Sequence, residues 1–207
     1  METNYRIAYD KWWQDLKRKV PEEIATQLAV TYSNDTRQFV VSFFNSEYIL
    51  DCNNETIYRK TDGHVPEIMA SIIMLNYLAY SHPLQTSIKK WVSLKEIPSG
   101  GLFYPAFYKN SIIGLIKAFG NQAKQLLVSA VALGGQPASF GDASAIFQAF
   151  PEIPLCVTIW EGDEEIPANA TILYDPSIEP LLHIESVIGL GMYLANQLKQ
   201  LATSTSS

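Results

Sequence analysis

The residues with the strongest strand preference fall in two separate blocks of this chain, and long helical patterns lie between the blocks. Residues 38–58 are rich in β-branched and aromatic side chains, with Asn45 and Asn53 at turn positions, which predicts three short antiparallel strands. Residues 155–160 and 170–174 have the same character and predict a β-hairpin. Because the strands come in blocks and do not alternate one by one with helices, the pattern favours an α+β fold.

Apolar residues at helical spacing account for most of the remaining sequence. They predict an N-terminal helix pair interrupted at Pro21 and an almost fully apolar helix over residues 66–81. A further pair is predicted over residues 112–133, and a long apolar stripe over residues 181–201 predicts the last helix. A helix that is apolar on nearly all sides belongs in a core, so residues 66–81 are its predicted centre.

Residues 91–110 combine aromatic side chains with four glycine and proline residues, which predicts an irregular, aromatic-rich loop. Ser111 would then cap the next helix. Gly189 and Gly191 inside the last helix predict the close approach of another element. Together these patterns predict a single α+β domain over residues 1–207. It would have a mostly antiparallel sheet packed with helices, and a C-terminal β-hairpin followed by a long helix.

Charge and apolar run length exclude several classes of protein. The 15 Lys and Arg residues against 21 Asp and Glu residues give a net charge of -6, so we expect no nucleic-acid partner, since phosphate binding needs clustered positive charge. The first residues are polar, and no apolar run reaches the about 20 residues that span a bilayer, so we expect a cytoplasmic protein with no membrane partner. Cys52 and Cys156 are the only cysteines, and we expect no iron–sulfur cluster on this chain alone.

Negative charge is concentrated around the predicted hairpin. Residues 125–207 contain nine acidic residues and a single basic one, Lys199. Crowded carboxylates can ligate a hard cation or raise the pKa of one member, whereas a solvated acidic loop would only aid solubility. Trp160 would either wall a ligand pocket or fill the core, and Asp175 is expected near the same edge of the sheet. The candidate ligand-binding residues are Asp142, Trp160, Asp163, Glu165 and Asp175.

The same region resembles an uncharacterised bacterial and archaeal family, a domain of unknown function of similar length. The likeness is strongest over residues 134–185. It rests on Gly141-Asp142, on Phe-Pro-Glu-Ile-Pro at residues 150–154, on the motif Trp-Glu-Gly-Asp-Glu-Glu-Ile-Pro-Ala at residues 160–168, on Ile-Leu-Tyr-Asp at residues 172–175 and on the helix that carries Glu185. The resemblance implies that the five candidate residues belong to the family pattern. Some members carry an appended four-cysteine iron–sulfur domain, which implies a link to anaerobic redox or corrinoid one-carbon metabolism, although this sequence holds no such cysteine cluster.

Two functions from different classes remain open at this point. The first is a ligand- or partner-binding accessory module whose acidic hairpin holds a small molecule, a cation or a protein. The second is a hydrolase or lyase that uses the carboxylates with a divalent metal ion. We favour the first, because the sequence brings together no nucleophile, base and orienting group, and so identifies no catalytic residue and no metal ligand.

Overall fold

A computed structural model describes residues 2–83 and 90–205. The helices in these residues are α1 (Glu2–Lys17), α2 (Pro21–Gln27), α3 (Ile68–Tyr80), α4 (Gly100–Phe107), α5 (Ile113–Phe119), α6 (Gln125–Ala132) and α7 (Ile184–Thr205). The strands are β1 (Thr31–Ser33), β2 (Gln38–Phe43), β3 (Ser46–Asp51), β4 (Thr56–Arg59), β5 (Val92–Ser93), β6 (Gln136–Ala138), β7 (Ala143–Phe150), β8 (Ile153–Trp160) and β9 (Asn169–Tyr174). The α+β class, with antiparallel pairing and a long C-terminal helix, is confirmed.

The first block of strands forms a four-stranded antiparallel sheet, sheet A, in the order β1-β2-β3-β4. Alternate side chains of β2 are buried, namely Phe39, Val41 and Phe43, as the two-residue period of a strand requires. The three predicted strands are confirmed, and β1 adds a fourth that pairs Thr31 with Val40. A strand of three residues is too short for its sequence to show an alternating pattern.

The second block belongs to a five-stranded antiparallel sheet, sheet B, in the order β5-β9-β8-β7-β6. The predicted hairpin is confirmed as β8 and β9. The sequence does not predict its neighbour β7, because Ile146 is the single β-branched residue in that strand. The strand forms because its backbone pairs with β8 along nearly its whole length, from Ala143 to Phe150.

Residues 91–110 do not form the irregular loop that their composition predicts. They contain β5, a 3-10 turn and α4, which passes through Pro105 into a π-helical turn at Tyr108–Ile112. Proline is tolerated there because Gly101, whose carbonyl loses its partner, is exposed and can bind water instead. Ser111 therefore lies buried inside a continuous helical segment, and the prediction that it caps a new helix is wrong.

One core joins both sheets to the central helix. Phe150 of β7 stacks on Tyr77 of α3 with ring centroids 4.0 Å apart, and its centroid lies 5.1 Å from that of Phe43 in β2. Most of α3 is buried, as its apolar sequence predicts. Sheet A and sheet B therefore share their packing, and the acidic hairpin of sheet B extends from this common core.

Helix α7 packs against the core at its glycines, which confirms the close approach predicted for Gly189 and Gly191. A Cβ atom on Gly189 would lie 2.9 Å from Sδ of Met69, and one on Gly191 would lie 2.8 Å from Cε2 of Phe107. A larger residue at Gly191 would push α7 away from its neighbours, whereas at Gly189 the flexible side chain of Met69 can move aside. None of the described helices, α7 included, is long and apolar enough to cross a membrane.

Candidate functional site

Four of the five candidate residues lie at one end of sheet B. The connection between β8 and β9, residues 161–168, carries Asp163 and Glu165, and Trp160 is the last residue of β8. Asp142 directly precedes β7, which runs antiparallel to β8, so it lies at the same end of the sheet. We call this region, the turn 139–142 together with the loop 160–168, the acidic end.

Asp175 does not join the acidic end, and the expectation that it projects near the same edge is wrong. Asp163 precedes β9 and Asp175 follows it, so the six residues of the strand lie between them. At about 3.3 Å per residue, this places the two roughly 20 Å apart. Asp175 is nearly buried, and its Oδ1 accepts a hydrogen bond of 2.8 Å from the backbone N–H of Ser177. In that position it caps the 3-10 turn that follows β9.

Two carboxylates tie the start of the β8–β9 loop to its surroundings. Oδ2 of Asp142 accepts a 2.7 Å hydrogen bond from the backbone N–H of Glu161. Oε1 of Glu161 in turn accepts a 2.6 Å hydrogen bond from the N–H of Ala123. The N–H of Gly162 donates to the carbonyl of Gly120 at 3.1 Å. These bonds hold the loop against the turn before β7 and against the α5–α6 connection.

Asp163 organises the tip of the same loop. Its Oδ1 accepts hydrogen bonds from the N–H groups of Ile166, at 2.7 Å, and Glu165, at 2.8 Å. These two bonds, the one from Ile166 above all, hold the pKa of the Asp163 carboxyl below its usual range, because they stabilise its charged form. The side chain of Glu165 is exposed. Asp163 therefore uses one oxygen to shape the loop, while Glu165 extends into solvent.

Replacing Asp163 by alanine should speed amide hydrogen exchange at Glu165 and Ile166, because both N–H groups lose their acceptor. Asp163→Asn should change exchange less, since an amide oxygen accepts the same bonds, and Glu165→Gln serves as the control. The folded pKa lies below the unfolded value of about 3.9, so the carboxylate's contribution is complete above that pH and is lost as pH falls through the folded pKa. Equal exchange in wild type and Asp163→Ala at neutral pH would contradict this role.

The acidic end does not form a ready-made metal site. Within residues 2–83 and 90–205 no group of three or more His, Cys, Asp and Glu side chains could hold a metal ion. Instead, one carboxylate oxygen of Asp142 and one of Asp163 accept hydrogen bonds from backbone N–H groups. The hydrolase or lyase alternative, which needs a divalent ion beside these carboxylates, gains no support from this arrangement.

Three large apolar side chains are exposed among these carboxylates. The exposed fraction is 44% for Phe140, 40% for Trp160 and 65% for Ile166. Gly141 has a φ of 57°, and a Cβ atom on it would lie 3.3 Å from Cε2 of Trp160. Glycine thus permits both the left-handed backbone and the approach of the indole ring. Trp160 is too exposed to be a core residue, and its role as the wall of a ligand pocket stays a prediction.

A concave region that no sequence pattern predicts lies between the N-terminal helices and sheet A. Its volume is about 400 Å³, and Trp13, Lys17, Arg37 and Cys52 are among its lining residues. In the sequence, Trp13 resembles a core residue and Lys17 part of a solvated helix face. The sequence holds one sign of this cleft: Lys17 follows Trp13 by about one helical turn, which places the two residues on the same side of α1.

Comparison with known proteins matches most of this chain to a family model. A model of a family described as a domain of unknown function matches residues 20–197. The match is longer than residues 134–185, where the sequence resemblance is strongest, and it includes both sheets. No curated protein and no solved structure matches the chain.

Proposed function

Because this chain belongs to the DUF3786 family of domains of unknown function, we propose a role from the surface that it presents. It is a binding or accessory module, and its acidic end docks a protein partner. The observation that carries this proposal is the set of three exposed apolar side chains, Phe140, Trp160 and Ile166, among carboxylates. An apolar centre with a polar rim is the usual composition of a protein–protein interface.

The apolar side chains supply the affinity. Their exposed area is unfavourable in water, and a partner that covers it gains about 25 cal/mol for each Å² removed from solvent. Trp160 is the strongest candidate anchor, because tryptophan is among the residues most enriched at the energetic centres of interfaces. Ile166, at the loop tip, would occupy a pocket on the partner.

The rim determines which partner fits. Five acidic residues of this rim are exposed, namely Asp142, Glu161, Asp163, Glu164 and Glu165. The ion pairs formed among the described residues involve other acidic side chains. Their negative charge is therefore available to a partner. A complementary surface carries lysine or arginine around an apolar centre, and its association rate falls as salt screens the attraction.

The loop is held in place before any partner arrives. Asp142 and Glu161 fix the beginning of the loop, and Asp163 fixes its tip through backbone N–H groups. A preorganised surface loses less conformational entropy on binding than a disordered one. The carboxylates therefore have two roles in this proposal: one set of oxygens shapes the loop, and the remaining charge attracts the partner.

A protein suits this surface better than a cation or a small molecule. A cation would compete with the backbone N–H groups that already bind the carboxylates of Asp142 and Asp163. The apolar side chains of Trp160 and Ile166 would add nothing to its binding. The resemblance described above implies that such a partner belongs to anaerobic redox or corrinoid one-carbon metabolism.

A quantitative pull-down tests the proposal, with the full chain as bait in a lysate of the organism that produces it. We expect the wild type to retain a basic protein whose recovery falls roughly tenfold or more in the Trp160→Ala, Ile166→Ser double variant, because two anchors are lost. Recovery should also fall between about 50 mM and about 500 mM salt. Mass spectrometry of the retained proteins provides the measurement.

The matched control is Val65→Ser, which removes another strongly exposed apolar side chain, in the connection between β4 and α3. It should retain the same protein as the wild type. Equal recovery by wild type and double variant would exclude docking at the acidic end. So would the retention of acidic proteins alone, or of no protein.

A further inference from the structure

The cleft between the N-terminal helices and sheet A has the composition of a small-molecule site. Its volume of about 400 Å³ lies within the roughly 300–1,000 Å³ of typical ligand pockets. Its walls come from the end of α1, the start of α2, strands β1 and β2, and the residues after β3. The acidic end contributes none of these walls, so the cleft is independent of the proposed docking surface.

Trp13 is one of the lining residues of this cleft, and its side chain carries a buried hydrogen-bond donor. Its side chain is fully buried, and its Nε1 has no hydrogen-bond partner among the described residues. The ring of Tyr9 packs edge-on against it, with centroids 6.2 Å apart. An unpaired buried N–H group destabilises a fold, so such a group beside a cavity points to an acceptor that comes from outside the chain.

Aromatic rings form an apolar wall of the cleft. The rings of Tyr32 and Phe39 lie against each other with centroids 4.6 Å apart. Phe39 is fully buried, whereas Tyr32 is partly exposed and lies on the edge strand β1. Flat aromatic surfaces favour planar ligands, because rings gain from offset stacking in addition to the burial of apolar area.

The charged residues of the cleft are all basic. Within the described part of the chain, its lining contains Lys17, Lys19 and Arg37 and no carboxylate. Lys17 forms an ion pair with Glu55, outside the lining. Nζ of Lys19 lies 3.4 Å from the carbonyl oxygen of Ser81, and the ion pairs formed among described residues do not include Arg37. Arg37 therefore remains available to an anion, and Lys19 adds positive charge beside it.

Two carbonyl groups at the end of α1 are occupied by hydrogen bonds and do not face an anion freely. Free carbonyl groups at a helix C-terminus repel anions. The carbonyl of Asp15 accepts a 3.2 Å hydrogen bond from the N–H of Arg18, and that of Leu16 accepts a 3.1 Å bond from Lys19. Both carbonyls thus have partners in the turn that leads from α1 to α2.

The opposite wall is held rigidly by hydrogen bonds. The N–H of Cys52 donates to the carbonyl of Arg37 at 3.0 Å, and Nδ2 of Asn53 donates to the carbonyl of Thr36 at 3.1 Å. Buried Asp51 accepts a 2.9 Å bond from the N–H of Asn53. The segment that carries Arg37 is therefore preorganised, which reduces the entropy lost when a ligand binds.

Cys52 contributes a neutral contact to the cleft. Burial raises the pKa of its thiol to about 11, although Arg37 and Lys17 act in the opposite direction. The thiol is therefore protonated at neutral pH and does not serve as a nucleophile. The site has the features of a binding pocket and not of a covalent catalyst.

We propose that this cleft binds a small planar aromatic anion. Its ring lies against the partly exposed ring of Tyr32, which packs on the buried ring of Phe39. Its phosphate or carboxylate group pairs with Arg37 and Lys19. An oxygen of the same group accepts the hydrogen bond that Nε1 of Trp13 offers. The ligand thereby satisfies the unpaired donor of Trp13 and the charge of Arg37 together, which neither an uncharged ring nor an inorganic anion would do.

Isothermal titration calorimetry of the full chain at low salt tests this assignment. The probes are adenosine monophosphate and flavin mononucleotide for phosphate esters, and 4-hydroxybenzoate and indole-3-acetate for carboxylates. Adenosine and inorganic phosphate are the partial ligands. We expect at least one aromatic anion to bind with a Kd below about 100 µM, and about tenfold or more tighter than either partial ligand. Which pair binds identifies the anionic group.

Variants identify the site. Arg37→Gln should weaken binding about tenfold through loss of a charge-assisted bond. Trp13→Phe should weaken it by roughly fivefold, since a ring remains but the donor is removed. Because Trp13 is fully buried, Trp13→Phe also leaves a small cavity and should lower the melting temperature by a few degrees, so its binding is measured well below that temperature, where the variant is folded. Trp12 and Arg6 lie outside the cleft. The matched control variants Trp12→Phe and Arg6→Gln should therefore bind the aromatic anion as the wild type does.

Two results would overturn the proposal. The first is that no probe binds with a Kd below about 100 µM, the affinity that the proposal requires. The second is binding that Arg37→Gln and Trp13→Phe leave unchanged. The Trp160→Ala, Ile166→Ser variant should bind the anion normally, so failure of the docking proposal and failure of this one are distinguishable.

Discussion

Replacing Phe150 by alanine is expected to lower the free energy of unfolding by about 4 kcal/mol. Phe150 is fully buried, and its ring contacts Tyr77 of α3 and Phe43 of β2. Alanine removes the apolar burial and both aromatic contacts, and it leaves a cavity between elements that the rest of the core holds in place. In a chain of this length the melting temperature should fall by roughly 12 °C.

Thermal and denaturant unfolding provide the measurement, and the exposed Phe103 of α4 provides the control. Phe103→Ala should change stability by less than about 0.5 kcal/mol. Because the rings of Phe150, Tyr77 and Phe43 join both sheets, circular dichroism and tryptophan fluorescence should report one coincident transition. Two separate transitions, or a loss below about 1 kcal/mol in Phe150→Ala, would show that the sheets do not share a core.

Gly191→Ala is expected to destabilise the protein by about 2 kcal/mol, although alanine is normally the better helix residue. Helix propensity alone would stabilise α7 by about 1 kcal/mol. The new Cβ would overlap the hydroxyl of Tyr174 and lie 2.8 Å from Cε2 of Phe107, and both rings are buried. Forcing a methyl group into such a contact costs about 3 kcal/mol, so the clash exceeds the gain in propensity.

The control is Gly101→Ala in α4, where the nearest atom to a new Cβ is the carbonyl oxygen of Lys95 at 3.7 Å. That variant should be as stable as the wild type or more stable, as propensity predicts. Tyr174→Phe removes a hydroxyl that has no partner among the described residues. It should therefore recover part of the loss when combined with Gly191→Ala. A higher melting temperature for Gly191→Ala alone would mean that α7 packs less closely than described.

Elements whose own residues carry a strong pattern are predictable from this sequence. Helix α3 has apolar residues on all sides, and β8 and β9 consist largely of β-branched and aromatic residues. Strand β7 lacks that pattern, because alanine and serine occupy several of its positions. These positions are buried by neighbouring elements, and their backbone pairs with strand β8. Helix α4 is obscured by Pro105, whose cost depends on whether the carbonyl one turn earlier reaches water.

The candidate site likewise has residues that the sequence places and residues that only tertiary contacts place. Trp160, Asp163 and Glu165 fall within one predicted hairpin, so the sequence groups them, whereas only the pairing of β7 with β8 places Asp142 beside them. The error with Asp175 is one of geometry, since residues before and after a strand lie at opposite ends of it. Whether the four grouped residues bind a partner stays a prediction for the pull-down to decide.

The sequence by itself determined the α+β class, the hairpin with its acidic loop, and the concentration of negative charge in residues 125–207, because these depend on residues close together in the chain. Only the tertiary structure decided that the Asp163 carboxylate accepts backbone N–H groups, and that Phe43 and Phe150 join the two sheets. It also brought Trp13 and Arg37 to one cleft. Burial and hydrogen-bond pairing depend on which distant segments meet, and no local pattern specifies that meeting.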